Sequence, residues 1–266
     1  MPSFASTLLS LALAGLLTLA AYTDPLAVAA VVAVVQLLIA QAPSPSDATG
    51  HTVHGPRFAA TVAAGAVATV LTVEPHLLRA ADGSSTKAFG ETDNGMLSAI
   101  MPAIVAGVFV ALASQMLRKD GRKNLVSTTS YAVALGVFAA LTVGWIGAVQ
   151  SLGDAEVVAV GAAGVAGGLL VWLVPIDRWL CGSAAVIGGA VAGAVVSYQV
   201  ELTWALGVAV GSGAALFAVL GQILGRSWSQ GRTHAAAGWG FPGAMSIALA
   251  APVIYVGGQL IGAPGF

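Results

Sequence analysis

Residues 96–149 read MLSAIMPAIVAGVFVALASQMLRKDGRKNLVSTTSYAVALGVFAALTVGWIGAV. No charged residue occurs in 96–117 or in 125–149, while the joint between them holds Arg118, Lys119, Asp120, Arg122 and Lys123. The hydrocarbon core of a bilayer is about 30 Å thick, and a helix needs about 20 apolar residues to cross it. The passage therefore predicts two spanning helices joined by a basic turn. Short loops rich in Lys and Arg stay in the cytoplasm, so this one hairpin gives helix class, membrane location and orientation together.

The same pattern repeats outward from the hairpin. Apolar runs at about 4–22, 25–42, 58–75, 157–175, 181–199, 202–224 and 239–262 bring the predicted spans to nine. Thr23-Asp24-Pro25 is a tight polar turn, and the loop at 43–57 opens Pro-Ser-Pro-Ser-Asp and holds His51, His54 and Arg57. The longest loop, 76–95, carries Asp82-Gly83, Glu91 and Asp93-Asn94-Gly95. Asp154 and Glu156 part the fifth run from the sixth, Pro175, Asp177 and Arg178 the sixth from the seventh, and Glu201 the seventh from the eighth. Residues 225–238 hold Arg226, Arg232 and His234.

Alternate loops belong to alternate sides. One side then receives Arg57, Arg118, Lys119, Arg122, Lys123, Arg178, Arg226 and Arg232, and the other only Arg79 and Lys87. The first side is cytoplasmic by the positive-inside rule, which puts the amino terminus inside and the carboxyl terminus outside. The acids Asp24, Asp82, Glu91, Asp93, Asp154, Glu156 and Glu201 fall on the outer side.

Composition agrees with a membrane solvent. Of 266 residues 58% are hydrophobic and 8% charged, the mean hydropathy is +0.91, and a soluble domain carries roughly 25% charged residues. Nine spans leave no room for a soluble domain, so residues 1–266 read as a single transmembrane domain. The few scattered cations exclude a nucleic-acid surface. The single cysteine, Cys181, excludes an internal disulfide and a multi-cysteine metal site. The first run has no Lys or Arg ahead of it and no clear small-x-small cleavage site, which favours a retained span over a secretory signal. Richness in Ala, Gly and Val with almost no Lys points to a GC-rich bacterium, and hence to a multi-pass protein of the bacterial plasma membrane.

Few motifs carry chemistry. Gly-x-x-x-Gly occurs at 164/168, 189/193, 207/211, 221/225 and 258/262, against about four pairs by chance, so the spacing is no sign of dimerisation. Twenty-two of the 34 glycines follow residue 150, which predicts tight packing among the last four spans. No ionisable residue falls at mid-membrane, which argues against a proton-coupled carrier. Gln36, Gln115 and Gln222 lie toward the cytoplasmic ends of their spans and form a candidate polar pocket, or else act as separate interhelical hydrogen bonds. Pro102 and Pro252 lie inside spans and predict kinks. Arg118, Lys119, Arg122 and Lys123 are candidate contacts for anionic lipid headgroups. His51, His54 and Asp47 are too few for zinc, and Glu74, His76, Asp82, Glu91 and Asp93 lack the spacing of a calcium loop. No catalytic residue, metal site or cofactor is predicted, and phosphate-loop, nucleophile-elbow and zincin patterns are missing from the sequence.

The stretch from Gly207 to Arg226, GVAVGSGAALFAVLGQILGR, resembles the helix that leads into the G-D-L-x-E-S-x-x-K-R run of bacterial phosphatidate cytidylyltransferases. The chain shares their Gly-rich, polytopic outline. Gln222 stands where that family has Asp, its Glu and Lys have no equivalents, and His234 is followed by three alanines. The resemblance implies a polytopic fold and, without carboxylates to hold metal, a non-catalytic relative.

The sequence thus predicts an all-α polytopic bundle that acts without catalysis, as a membrane subunit or scaffold packing against membrane lipids and a membrane protein partner. A small-solute transporter or channel lined by the Gln36/Gln115/Gln222 level is the second reading. A lipid-modifying enzyme using Asp177, Arg178, Arg226, Arg232 and His234 is the third.

Overall fold

The computed structural model describes residues 4–43, 57–74, 77, 96–118, 124–150, 154–175, 177–229 and 235–260. They form ten helices and, among the described residues, no strand. In chain order these are α1 (Phe4–Ala21), α2 (Pro25–Ala40), α3 (Arg57–Val73), α4 (Met96–Met116), α5 (Leu125–Leu141), α6 (Gly144–Val149), α7 (Asp154–Trp172), α8 (Arg178–Gln199), α9 (Trp204–Ser229) and α10 (Ala235–Leu260).

Each apolar run lies on a helix, with α5 and α6 dividing the run at 125–149. Among the described residues, seven segments are long and apolar enough to cross a membrane: Phe4–Ala21, Ser98–Met116, Leu125–Val149, Asp154–Trp172, Trp179–Gln199, Trp204–Ser229 and Gly238–Leu260. The helices α2 and α3, of 16 and 17 residues, are apolar but shorter.

Several boundaries follow from capping. Asp24 has extended backbone and accepts from the Leu26 N–H at 2.8 Å, with Pro25 at the first helical position. Asp177 accepts from the Trp179 N–H at 3.0 Å and starts α8 three residues before the apolar run. Asp154 and Glu156, read as a break, occupy the first turn of α7, where carboxylates favour the positive end of the helix dipole. Arg226, read as a loop residue, closes the last turn of α9, where a cation is favoured for the converse reason.

The bundle has two tight trios. In one, α3, α4 and α5 pack mutually; in the other, α7, α8 and α9 do. Between them run α1, which touches α2, α7 and α10, and α10, which touches α9, α6, α1 and α2. At the rims α4 rests chiefly on α3 and α5, and α8 chiefly on α7 and α9. The predicted crowding of glycines is realised between α7, α8 and α9. A methyl group on Gly189 would stand 2.7 Å from the Gly211 carbonyl oxygen and 2.9 Å from that of Gly164, so three backbones meet at one level. The pairs 164/168, 189/193 and 207/211 all face this seam, inside the chain.

The division between α5 and α6 is the feature that apolarity alone did not reveal. Gly144 opens α6 so close to α10 that an added methyl would lie 2.5 Å from the Ala251 carbonyl oxygen. One residue on, the fully buried Trp145 donates its indole N–H to the Ile247 carbonyl at 3.0 Å. This places the break against the stretch of α10 between Pro242 and Pro252.

Candidate functional site

Among the described residues, the buried amides Gln222, Gln36 and Gln115 each anchor a separate clasp. The first ties α1 to α9 and α10. Ser6 and Ser10 lie one turn apart and share a face of α1. Ser6 Oγ donates to Gln222 Oε1 at 3.0 Å, and Gln222 Nε2 donates to Ser10 Oγ at 3.1 Å. Ser10 Oγ faces the Gly243 carbonyl at 3.1 Å and that of Ser6 at 3.0 Å. Arg226, one turn beyond Gln222, donates from Nη2 to Ser6 Oγ at 3.3 Å. Ser6, Ser10 and Gln222 are fully buried, so the hydroxyls satisfy the amide where water cannot.

The second clasp joins α2, α3 and the end of α5. Gln36 Nε2 donates to Thr69 Oγ1 at 2.9 Å and to Thr142 Oγ1 at 3.0 Å, with the Ala139 carbonyl at 3.4 Å. Thr142 Oγ1 donates to the Ala139 carbonyl at 2.6 Å. Gln36 therefore pins the place where α5 stops and α6 begins. The third clasp closes the hairpin between α4 and α5. Gln115 Nε2 donates to Thr128 Oγ1 at 2.7 Å, while Arg118 Nη1 donates to Gln115 Oε1 at 2.8 Å and approaches Thr128 Oγ1 at 3.4 Å.

These bonds put the three amides in three separate clasps. Gln36, Gln115 and Gln222 share no partner. Thr128, which holds Gln115, and Thr142, which holds Gln36, are 14 residues apart along one span, a rise of about 21 Å at 1.5 Å per residue. Gln36 belongs to an inner level of the bundle and Gln115 to its end. What the structure shows is interhelical hydrogen bonding, which averages about 0.6 kcal/mol per bond and reaches about 1.7 in membrane bundles.

Of the candidate headgroup contacts, Arg118 is the one described, and its guanidinium is oriented by Gln115. Lys119, Arg122 and Lys123 lie outside the described residues, as do Asp47, His51, His54, His76, Asp82, Glu91, Asp93, Arg232 and His234. Of the residues considered for an enzyme site, Asp177 caps α8 and Arg226 serves the first clasp. Cys181 sits at the turn from α7 into α8 with its Sγ 3.6 Å from the carbonyls of Val171, Trp172 and Val174, a packing position. Among the described residues no group of three His, Cys, Asp or Glu is placed to hold a metal ion.

The amides stand out in the sequence, and their partners do not. Ser6, Ser10, Thr69, Thr128 and Thr142 carry small hydroxyls that leave mean hydropathy almost unchanged. The available signal was the one-turn spacing of Ser6 and Ser10, which marks a polar stripe on a helix that is otherwise apolar. No protein-family model matches this chain, and neither the curated proteins nor the solved structures gave a match.

Proposed function

We infer that this chain is a nine-span protein of the bacterial plasma membrane, amino terminus inside, that acts as a subunit or scaffold by packing against a partner membrane helix. The nine-span count uses α2 and α3 as full crossings. At 1.5 Å per residue they measure about 24 and 26 Å, short of the hydrocarbon thickness by an amount that local thinning and snorkelling accommodate. Orientation rests on the eight-to-two division of Lys and Arg.

One observation carries the reading. The outward face of α4 presents Met101, Val105, Phe109, Leu112 and Met116, all exposed and spaced as one helical stripe. The helix contains no Trp or Tyr to seat it at a membrane interface. Flexible Met side chains beside Phe suit a surface that must fit another protein. The interior supports this, since its amides are engaged in holding helices together.

The test is a photo-crosslinking amino acid placed at Phe109 and, separately, at Val191 on the outward face of α8. A single protein adduct from position 109, with lipid alone from 191, is the expected result. Lipid adducts alone from both positions would remove the subunit reading. The broken helix at Thr142 favours a second reading, a path for a small neutral solute, because discontinuous helices line many transport sites. In that case solute flux in vesicles would fall when Gln36 is replaced by Leu.

A further inference from the structure

The outward face of α8 differs in kind from that of α4. Trp179 at one end is 88% exposed and Tyr198 at the other 83%. They are 19 residues apart, about 28 Å along a helix, close to the thickness of the hydrocarbon core. Between them the exposed side chains include Leu180, Ile187, Val191 and Val195. Aromatic rings at both interfaces with aliphatic residues between are the pattern of a surface facing lipid.

Into this face an open groove of about 420 Å3 is set between α8 and α9, within the range of about 300–1,000 Å3 of small-molecule sites. Its lining includes Ala190, Ala194, Val195 and Val208, and Tyr198 and Gln199 mark one end. From Ala190 to Gln199 the helix rises about 13.5 Å, half the hydrocarbon thickness of about 30 Å. A crossing partner helix would need twice that length. One acyl chain of one leaflet fits it.

Along α8, the turn that follows it and α9, the charge at the Tyr198 end is of one sign. Glu201, exposed in the turn from α8 to α9, lies two residues beyond Gln199. No Lys, Arg or His occurs from residue 179 to residue 225. We propose that the groove holds one acyl chain of a phospholipid whose headgroup ends in a primary ammonium, the phosphatidylethanolamine class, with that ammonium donating to Glu201 and Gln199. An anionic headgroup would meet the carboxylate with like charge, and a quaternary ammonium has no N–H to donate. The site is independent of whether α4 takes a partner.

Trp204 supplies the readout. It is exposed and lies one turn before Val208 on α9, hence on the groove's side. The full-length protein is reconstituted in phosphatidylcholine vesicles with rising fractions of phosphatidylethanolamine or phosphatidylglycerol brominated in their chains. The emission of Trp204 is taken as the difference between wild type and Trp204→Phe. Half-quenching is expected at an ethanolamine-lipid fraction about fivefold below that of the glycerol lipid, the advantage of one charge contact at a membrane surface. Glu201→Gln, an exposed change neutral to folding, is expected to bring the two fractions together. Ala194→Leu, which fills the groove, is expected to weaken quenching by the ethanolamine lipid. Equal quenching by both lipids, or a preference that survives Glu201→Gln, overturns the proposal. So does a Trp204 shielded from both lipids while Val195→Cys cross-links two copies, which would assign the groove to an interface between copies.

Discussion

The trio α7–α8–α9 and the trio α3–α4–α5 are both close-packed, but they achieve it in opposite ways. The first brings backbone onto backbone through Gly164, Gly189 and Gly211. The second keeps a methyl group of distance between its helices. Ala60, Ala111 and Ala132 form its small buried cluster, and a methyl on Gly107 would meet Ala64 Cβ at 3.0 Å. It is then fastened by Gln36 and Gln115. Lipid tails are as apolar as Leu, so membrane helices gain little from burying aliphatic surface and depend on close packing and hydrogen bonds. One trio relies mainly on the first of these, and the other adds the second.

The largest expected effect follows from breaking the backbone seam. Gly189→Ala drives a methyl against two carbonyl oxygens that have no flexible end to swing away. Overpacking costs about 1–3 kcal/mol, and helix propensity returns up to about 1. Because the methyl also meets Ala215 Cβ, closer than either oxygen, the cost falls at the upper end of the overpacking range and a net loss of about 2 kcal/mol is expected in mixed-micelle unfolding. Gly107→Ala is the matched control, expected within about 0.5 kcal/mol of wild type because a shift of Ala64 is offset by propensity. Equal responses at the two positions would erase the distinction between the trios.

Much of this architecture was legible in the chain. Apolar length located the helices, and the surplus of glycine after residue 150 located the tighter half. The break at Thr142–Gly144 was not legible, because Leu141, Val143 and Ile146 keep the run uniformly apolar. What divides it is tertiary: Gly144 against Ala251, Trp145 against the Ile247 carbonyl, and Gln36 from another helix. The clasps were half legible. An amide in an apolar run is conspicuous, whereas which hydroxyl it meets depends on helix rotation, which weakly amphipathic membrane helices do not encode in hydropathy.

The amide clasps should respond less, and in a coupled way. Gln36→Ala removes two hydrogen bonds and is expected to cost about 1.5 kcal/mol. Gly65→Ala reaches the same clasp from α3, because a methyl there would stand 2.8 Å from the Gln36 amide. It is expected to cost about 1 kcal/mol in the wild type and nothing measurable once Gln36 is Ala. Additive effects in that double-mutant cycle would show that Gly65 and Gln36 do not compete for the same space. Trp145→Phe keeps most of the ring and deletes the bond to Ile247, an expected loss of about 1 kcal/mol.

The smallest effect is expected at the end of the bundle. Arg118 donates to Gln115 Oε1, but Gln115 keeps its own bond to Thr128 at 2.7 Å without it. Arg118→Gln should therefore lower stability by only about 0.5 kcal/mol, the size of an ordinary interhelical bond in a bundle. Thr128→Val should cost more than Arg118→Gln, because it leaves the buried Gln115 amide without the acceptor that fixes it. If the arginine proves the more costly loss, charge at the membrane boundary holds the α4–α5 hairpin. The second trio would then owe its assembly to its ends more than to its interior amides.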